Sequence, residues 1–114
     1  MAKSSCAGLG NLHNDQAFSK SEQLNLTSQI NRAAVSIPTN IAEGCGRQTQ
    51  KELIRFLYIS SGSAHELEYL LFLSKELAFI DSESFERLST ELIKIKKMLT
   101  ALINKIAATV NSQP

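Results

Sequence analysis

A chain of 114 residues holds one domain, and 43% hydrophobic residues can fill its core, although a domain this short buries a modest share of its surface and leans on partners. Twelve basic against eleven acidic residues leave a net charge of +1, without the strong basic excess of a domain built to grip duplex nucleic acid. Five Gly, two Pro and no Trp favour helices over a sandwich of short strands.

The charge balance is flat along the chain. Residues 1–48 carry four bases and three acids, 49–80 three and four, and 81–114 five and four. A nucleic-acid site would therefore be a local patch, or would be assembled by an oligomer. Cys6 and Cys45 are the only cysteines. No secretory segment or membrane-length apolar run is evident, so the expectation is a cytoplasmic protein with reduced thiols and no membrane partner.

Residues 1–20 show no clear period and read as a loose tail or a degenerate first helix. A helical domain is expected over 21–110, with 111–114 as a short tail. The first helix is predicted from about Ser21 to Glu43, on a stripe of Leu26, Ile30, Ala33, Ile37 and Ile41. Pro38 falls inside it and removes the donor for the Ala34 carbonyl. The expectation is a kinked but continuous helix, with Ser36, Thr39 and Asn40 able to bond freed backbone groups. The rival is two shorter helices with Ser36 capping the second.

Thr49-Gln50-Lys51-Glu52 fits a capping box and opens the second helix, Gln50 to Leu77. Leu53, Phe56, Leu57, Ser60, Ala64, Leu67, Leu71 and Ser74 share one face. Gly62 costs about 1 kcal/mol against Ala in a helix, which points to a close neighbour there. The third helix starts near Asp81 or Ser82. Its stripe of Phe85, Leu88, Leu92, Ile95, Leu99, Leu102 and Ile106 alternates threes and fours as a heptad seam. Three long helices joined by short turns predict an all-α, antiparallel up-and-down bundle.

The run from Leu26 to Leu77 resembles a bacterial four-helix-bundle family encoded in intervening sequences of 23S ribosomal RNA genes. The matching positions are Gln29, Arg32 to Ala34, Ser36 to Pro38, Asn40 to Gly44, Gly46 and Arg47, then Lys51, Glu52, Arg55 to Leu57, Gly62, Ser63 and Glu66 to Glu68. The resemblance implies an up-and-down four-helix bundle, assembly as a ring pentamer, and no agreed biochemical activity. Retroelement accessory proteins, which bind a reverse transcriptase and nucleic acid, are distantly similar. Family members carry a Trp-bearing helix ahead of the matching part, and what precedes Phe18 does not resemble it.

The corner "EGCGRQT" admits two readings. Arg47, Lys51 and the amides near Thr49 could hold a phosphate at a helix N-terminus. The favoured reading is structural: Gly44 as a left-handed C-cap, Gly46 as a second turn residue, Thr49 as the next cap. No strand precedes the loop and its glycine spacing fits no nucleotide fingerprint.

The polar set Arg32, Asn40, Glu43, Arg47, Lys51, Arg55, Glu66 and Glu68 is likewise double. It is a candidate RNA or DNA surface, or it fixes helix register, with Glu43, Glu66 and Glu68 neutralising the arginines. The second reading suits the balanced charge. On the third helix, Arg87, Lys94 and Lys97 share a side; Glu83–Arg87 and Glu91–Lys94 pairs make it a solvated face. His65 with Glu68 is half of a helical metal site, and Cys45 with His65 lacks a third catalytic member. The expectation is a non-enzyme with no metal or cofactor, self-associating, with RNA, DNA or a protein as partner.

Overall fold

The structure, a computed structural model, describes residues 16–111, which form three helices: α1 Gln16–Cys45, α2 Gln50–Glu76 and α3 Ser82–Asn111. Residues 1–15 and 112–114, which hold most of the two expected tails, lie outside the described residues. Among the described residues there is no strand, as expected of an all-α bundle, and the helix count is three. α1 begins at Gln16 rather than Ser21, so the expected boundary at residue 20 falls inside a helix.

The chain runs up, down and up. α2 is the middle helix, packed on both sides; no Cα of α1 comes within 8 Å of one in α3. The main core joins Ile37 of α1 to Leu57, Ala64 and Leu71 of α2 and to Leu92, Leu99 and Ile103 of α3. A smaller cluster of Leu26, Ala33 and Leu70 closes the α1–α2 contact nearer the start of α1. The predicted α2 face is the buried one, from Phe56 and Leu57 through Ser60 and Ala64 to Leu71 and Ser74.

α1 passes through Pro38 without a break. The side chains around the proline do meet backbone carbonyls, though not that of Ala34. Asn40 Nδ2 donates to Ser36 O at 2.8 Å, and Ser60 Oγ on α2 donates to Ile37 O at 2.8 Å. Each supplies a second donor to a carbonyl beside the proline.

The glycines act differently from the sequence expectation. Neither Gly44 nor Gly46 has a positive φ, so Gly44 is not a left-handed cap. Gly44 is buried in the last turn of α1, where an added Cβ would lie 2.9 Å from Phe56 Cβ and 3.0 Å from Leu53 Cδ1. It is small so that α2 can come close. Gly62, expected to serve close packing, is exposed, and an added Cβ would meet nothing within 4 Å. The close approach at that level belongs to Ser60 and Ala64, both at 0% exposure.

Among the described residues, the one that does adopt the left-handed region is Ala78, with φ 62°. It ends α2 in a Schellman arrangement: Phe79 N–H reaches Ser74 O at 2.9 Å and Ala78 N–H reaches Lys75 O at 3.0 Å. A Cβ is strained at that φ. Ala78→Gly is therefore expected to raise the unfolding free energy by about 1 kcal/mol, read as a higher denaturant midpoint at unchanged slope. A lower midpoint would sink this account of the turn.

Thr49 caps α2 as expected, its Oγ1 accepting from Glu52 N–H at 3.2 Å. Asp81 caps α3, its Oδ1 accepting from Ser84 N–H at 2.7 Å. That backbone bond, helped by the Ser84 hydroxyl and Arg87, holds the Asp81 carboxyl below the usual carboxylate range.

The α3 seam is only half covered. Leu92 and Leu99 are buried and Phe85 and Ile106 half-buried, whereas Leu88, Ile95 and Leu102, seven apart, stay exposed. Among the described helices only α2 packs on α3, so it covers one column of the heptad and leaves the other.

Candidate functional site

The polar residues on which the resemblance rests fall into three groups. The first is the α1–α2 corner. Arg47 Nη2 donates to Glu43 Oε2 at 2.8 Å, one turn back along the chain, in an exposed pair. The Arg47 guanidinium also lies over the Phe56 ring, 4.9 Å from its centroid, and Arg55 lies over the same ring at 5.2 Å. Phe56 is 8% exposed. A buried ring thus carries two cations at its edge of solvent, a cation–π arrangement. Arg55 meets an aromatic ring where a carboxylate fork was expected. Lys51 is exposed beside them, in the first turn of α2.

The second group is a hydroxyl and amide seam between α1 and α2. Ser36 Oγ and Ser63 Oγ are 2.8 Å apart, and Asn40 Nδ2 donates to Ser36 Oγ at 2.9 Å. With Ser60 on Ile37 O, this seam fixes the register of α1 on α2. Sequence reasoning assigned Asn40 to the polar set but missed its partner Ser36 and the Ser60 and Ser63 hydroxyls that complete the seam. Hydroxyls at 60 and 63 on the face turned toward α1 were the available signal. Next to the seam lies a small polar cleft of about 300 Å³, lined by Asn25, Gln29, Arg32, Ser36, Ser63 and Glu66. Arg32 and Glu66 share this cleft, and neither forms an ion pair among the described residues.

The third group ties α2 to α3. Glu68 Oε1 accepts from Lys96 Nζ at 2.6 Å, half-buried. Glu68 therefore neutralises a lysine of α3, not one of the arginines. On α3, Lys94 pairs with Glu91 at 3.2 Å as expected, while no Glu83–Arg87 bridge forms among the described residues.

The structure does not gather the four bases of the proposed nucleic-acid surface. Arg47, Lys51 and Arg55 sit at the corner, but Arg32 lies about 20 Å back along α1, thirteen residues before Cys45. His65 Nδ1 lies 2.8 Å from Ser61 O on its own helix. No cluster of three metal-ligating side chains occurs among the described residues. Cys45 is exposed. No described helix is long and apolar enough to cross a membrane.

The comparisons agree with this architecture. Among proteins with curated descriptions, none matches the chain. The crystal structure of a protein with unknown function from the S23 ribosomal protein family of Bacteroides thetaiotaomicron superposes with a TM-score of 0.70 at 27% identity, covering 90% of this chain and 94% of that one. The sequence profile of the 23S rRNA-intervening sequence proteins matches residues 10–101, which span all of α1 and α2 and two-thirds of α3. The chain belongs to the 23S rRNA-intervening sequence protein family.

Proposed function

We propose that the protein is a non-catalytic, cytoplasmic helical accessory or scaffold protein that works as an assembly of several copies. The observation that supports this reading is how the polar signature is used. Asn40 holds the Ser36–Ser63 seam, Glu68 ties α2 to α3, and Glu43 and Arg47 close the corner over Phe56. Residues spent on register are not available as a reactive centre. Large apolar side chains remain in water instead, among them Val35 at 62%, Tyr58 and Tyr69 at 60% and Met98 at 70% exposed. Where such side chains gather into one contiguous patch, they mark an interaction site.

One observation favours a second reading. Arg47, Lys51 and Arg55 converge at one end of the α1–α2 pair, beside the N-terminus of α2, where a backbone phosphate would be welcome. Three phosphate contacts to single-stranded RNA would give a log–log salt slope of about −2. Light scattering coupled to size exclusion, with and without RNA, separates the two. The scaffold reading expects a multiple of 12.5 kDa that RNA leaves unchanged at low salt. A monomer would count against it. A salt-sensitive RNA complex that Arg47→Ala/Lys51→Ala abolishes would replace it with the nucleic-acid reading.

A further inference from the structure

The corner, the seam and the α2–α3 tie leave three residues of the sequence signature without a task. Gln29, Arg32 and Glu66 make no side-chain hydrogen bond or ion pair among the described residues. All three line the polar cleft between α1 and α2. Asn25, Gln29 and Arg32, spaced by four and three, form its α1 wall, and Glu66 stands on the α2 wall. Where a cation and an anion face each other between α2 and α3 they close, Lys96 Nζ on Glu68 Oε1 at 2.6 Å. Across this cleft the two charges stay apart.

The floor adds a donor. Ser36 Oγ and Ser63 Oγ lie 2.8 Å apart, both half-buried, and Ser36 Oγ also accepts from Asn40 Nδ2 at 2.9 Å. Two hydroxyls bring two protons, and only one lies in the bond between them. The other has no acceptor among the described residues and is free to turn into the cleft. The walls and floor stand on two helices locked in register by Asn40 and by Ser60 on Ile37 O, so the arrangement is in place before anything binds.

The charges select the ligand. A phosphate or other simple anion would be drawn by Arg32 and repelled by Glu66, and a metal ion or plain amine the reverse. A molecule carrying both signs satisfies both walls. Asn25 and Gln29 offer amide donors and acceptors, and Ala33 is the one apolar side chain of the lining. A volume of about 300 Å³ is at the low end for small-molecule sites. The end of a peptide brings one charge and would leave the opposite wall unanswered.

We propose that the cleft binds a free α-amino acid with a small polar side chain, as its zwitterion. The carboxylate lies on Arg32 and the free serine hydroxyl. The ammonium lies on Glu66 and the amide oxygens of Asn25 and Gln29. This goes beyond the scaffold reading and holds whether or not copies associate.

The test is a titration of the full chain, labelled with nitrogen-15, followed by NMR. L-serine is the probe, with N-acetyl-L-serine, L-serinamide and L-leucine beside it. L-serine should shift the side-chain amide signals of Asn25 and Gln29 saturably, in the millimolar range. Removing the ammonium or masking the carboxylate should weaken binding about tenfold or more, and L-leucine should bind less well than L-serine. Arg32→Gln and Glu66→Gln should each weaken L-serine about tenfold or more, with helical circular dichroism unchanged. In Arg32→Gln the difference between L-serine and L-serinamide should vanish. In Glu66→Gln the difference between L-serine and its N-acetyl form should vanish. Glu83→Gln, in the first turn of α3, should leave L-serine binding unchanged.

No saturable shift with L-serine overturns the proposal. So does equal binding of L-serine and either analogue, or a loss in the two variants that leaves the preference among analogues intact. An assembly that falls apart in Arg32→Gln, in a protein that does not bind L-serine, would assign the cleft to contact between copies instead. A monomer that binds L-serine would overturn self-association and leave this site standing.

Discussion

Leu57→Ala is expected to lower the unfolding free energy by about 2–5 kcal/mol, with the denaturant slope unchanged. Leu57 is at 0% exposure and sits in the cluster that joins Ile37 of α1 to Leu92, Leu99 and Ile103 of α3. Because α1 and α3 do not pack on each other, α2 carries both contacts. A cavity at Leu57 therefore loosens both flanking helices at once, and little else can collapse into it. Against a typical total of about 5–15 kcal/mol this is a large fraction. Leu24→Ala is the control: Leu24 is 72% exposed and its truncation should stay within about 0.5 kcal/mol. Equal effects at Leu57 and Leu24 in a guanidinium titration would refute the packing described here.

The α2 face was legible because its pattern has one solution. Leu57, Ser60, Ala64 and Leu71 recur at helical spacing between the Thr49 cap and the Leu77 end, and small residues in mid-stripe mark close approach. α3 misled for a physical reason. Periodicity reports which residues could be covered, not how many neighbours exist to cover them. Phe85 to Ile106 reads as a full seam, yet among the three described helices only alternate members are covered. The glycines misled in the other direction. Gly44 looked like a turn residue because it follows a helix, whereas its role depends on where Phe56 and Leu53 land from the next helix. The left-handed residue is Ala78, which no composition rule would single out.

The polar set was legible as a list but not as partners. Glu43 with Arg47 is local, one helical turn, and spacing predicts it. Glu68 with Lys96 spans 28 residues and depends on the α2–α3 register, which charge counting does not fix. Ser36 with Ser63 is of the same kind, across 27 residues. Local pairs follow from the helix period; pairs between helices need the fold first.

Phe56→Ala is the second large expectation, about 3–5 kcal/mol of lost stability. The ring is nearly buried at the end of α1, and its removal also frees the Arg47 and Arg55 guanidinium groups, each cation–π contact being worth about 0.5–1 kcal/mol at an exposed edge. Phe56→Leu should recover most of the burial and none of the cation–π part, so its deficit measures the latter. Gly44→Ala tests the same corner from the other side. Its new Cβ would press on Phe56 Cβ and Leu53 Cδ1, an overpacking cost of about 1–3 kcal/mol offset by about 1 kcal/mol of helix propensity. The closest atom is Phe56 Cβ, which alanine retains. Residues in contact ordinarily couple, but the atom in the way is one that alanine keeps, so Phe56→Ala should not relieve Gly44→Ala and the coupling between the two should stay below about 0.5 kcal/mol. Substantial relief in that double-mutant cycle would show that the aromatic ring, not the backbone spacing of α1 and α2, is what requires a glycine at position 44.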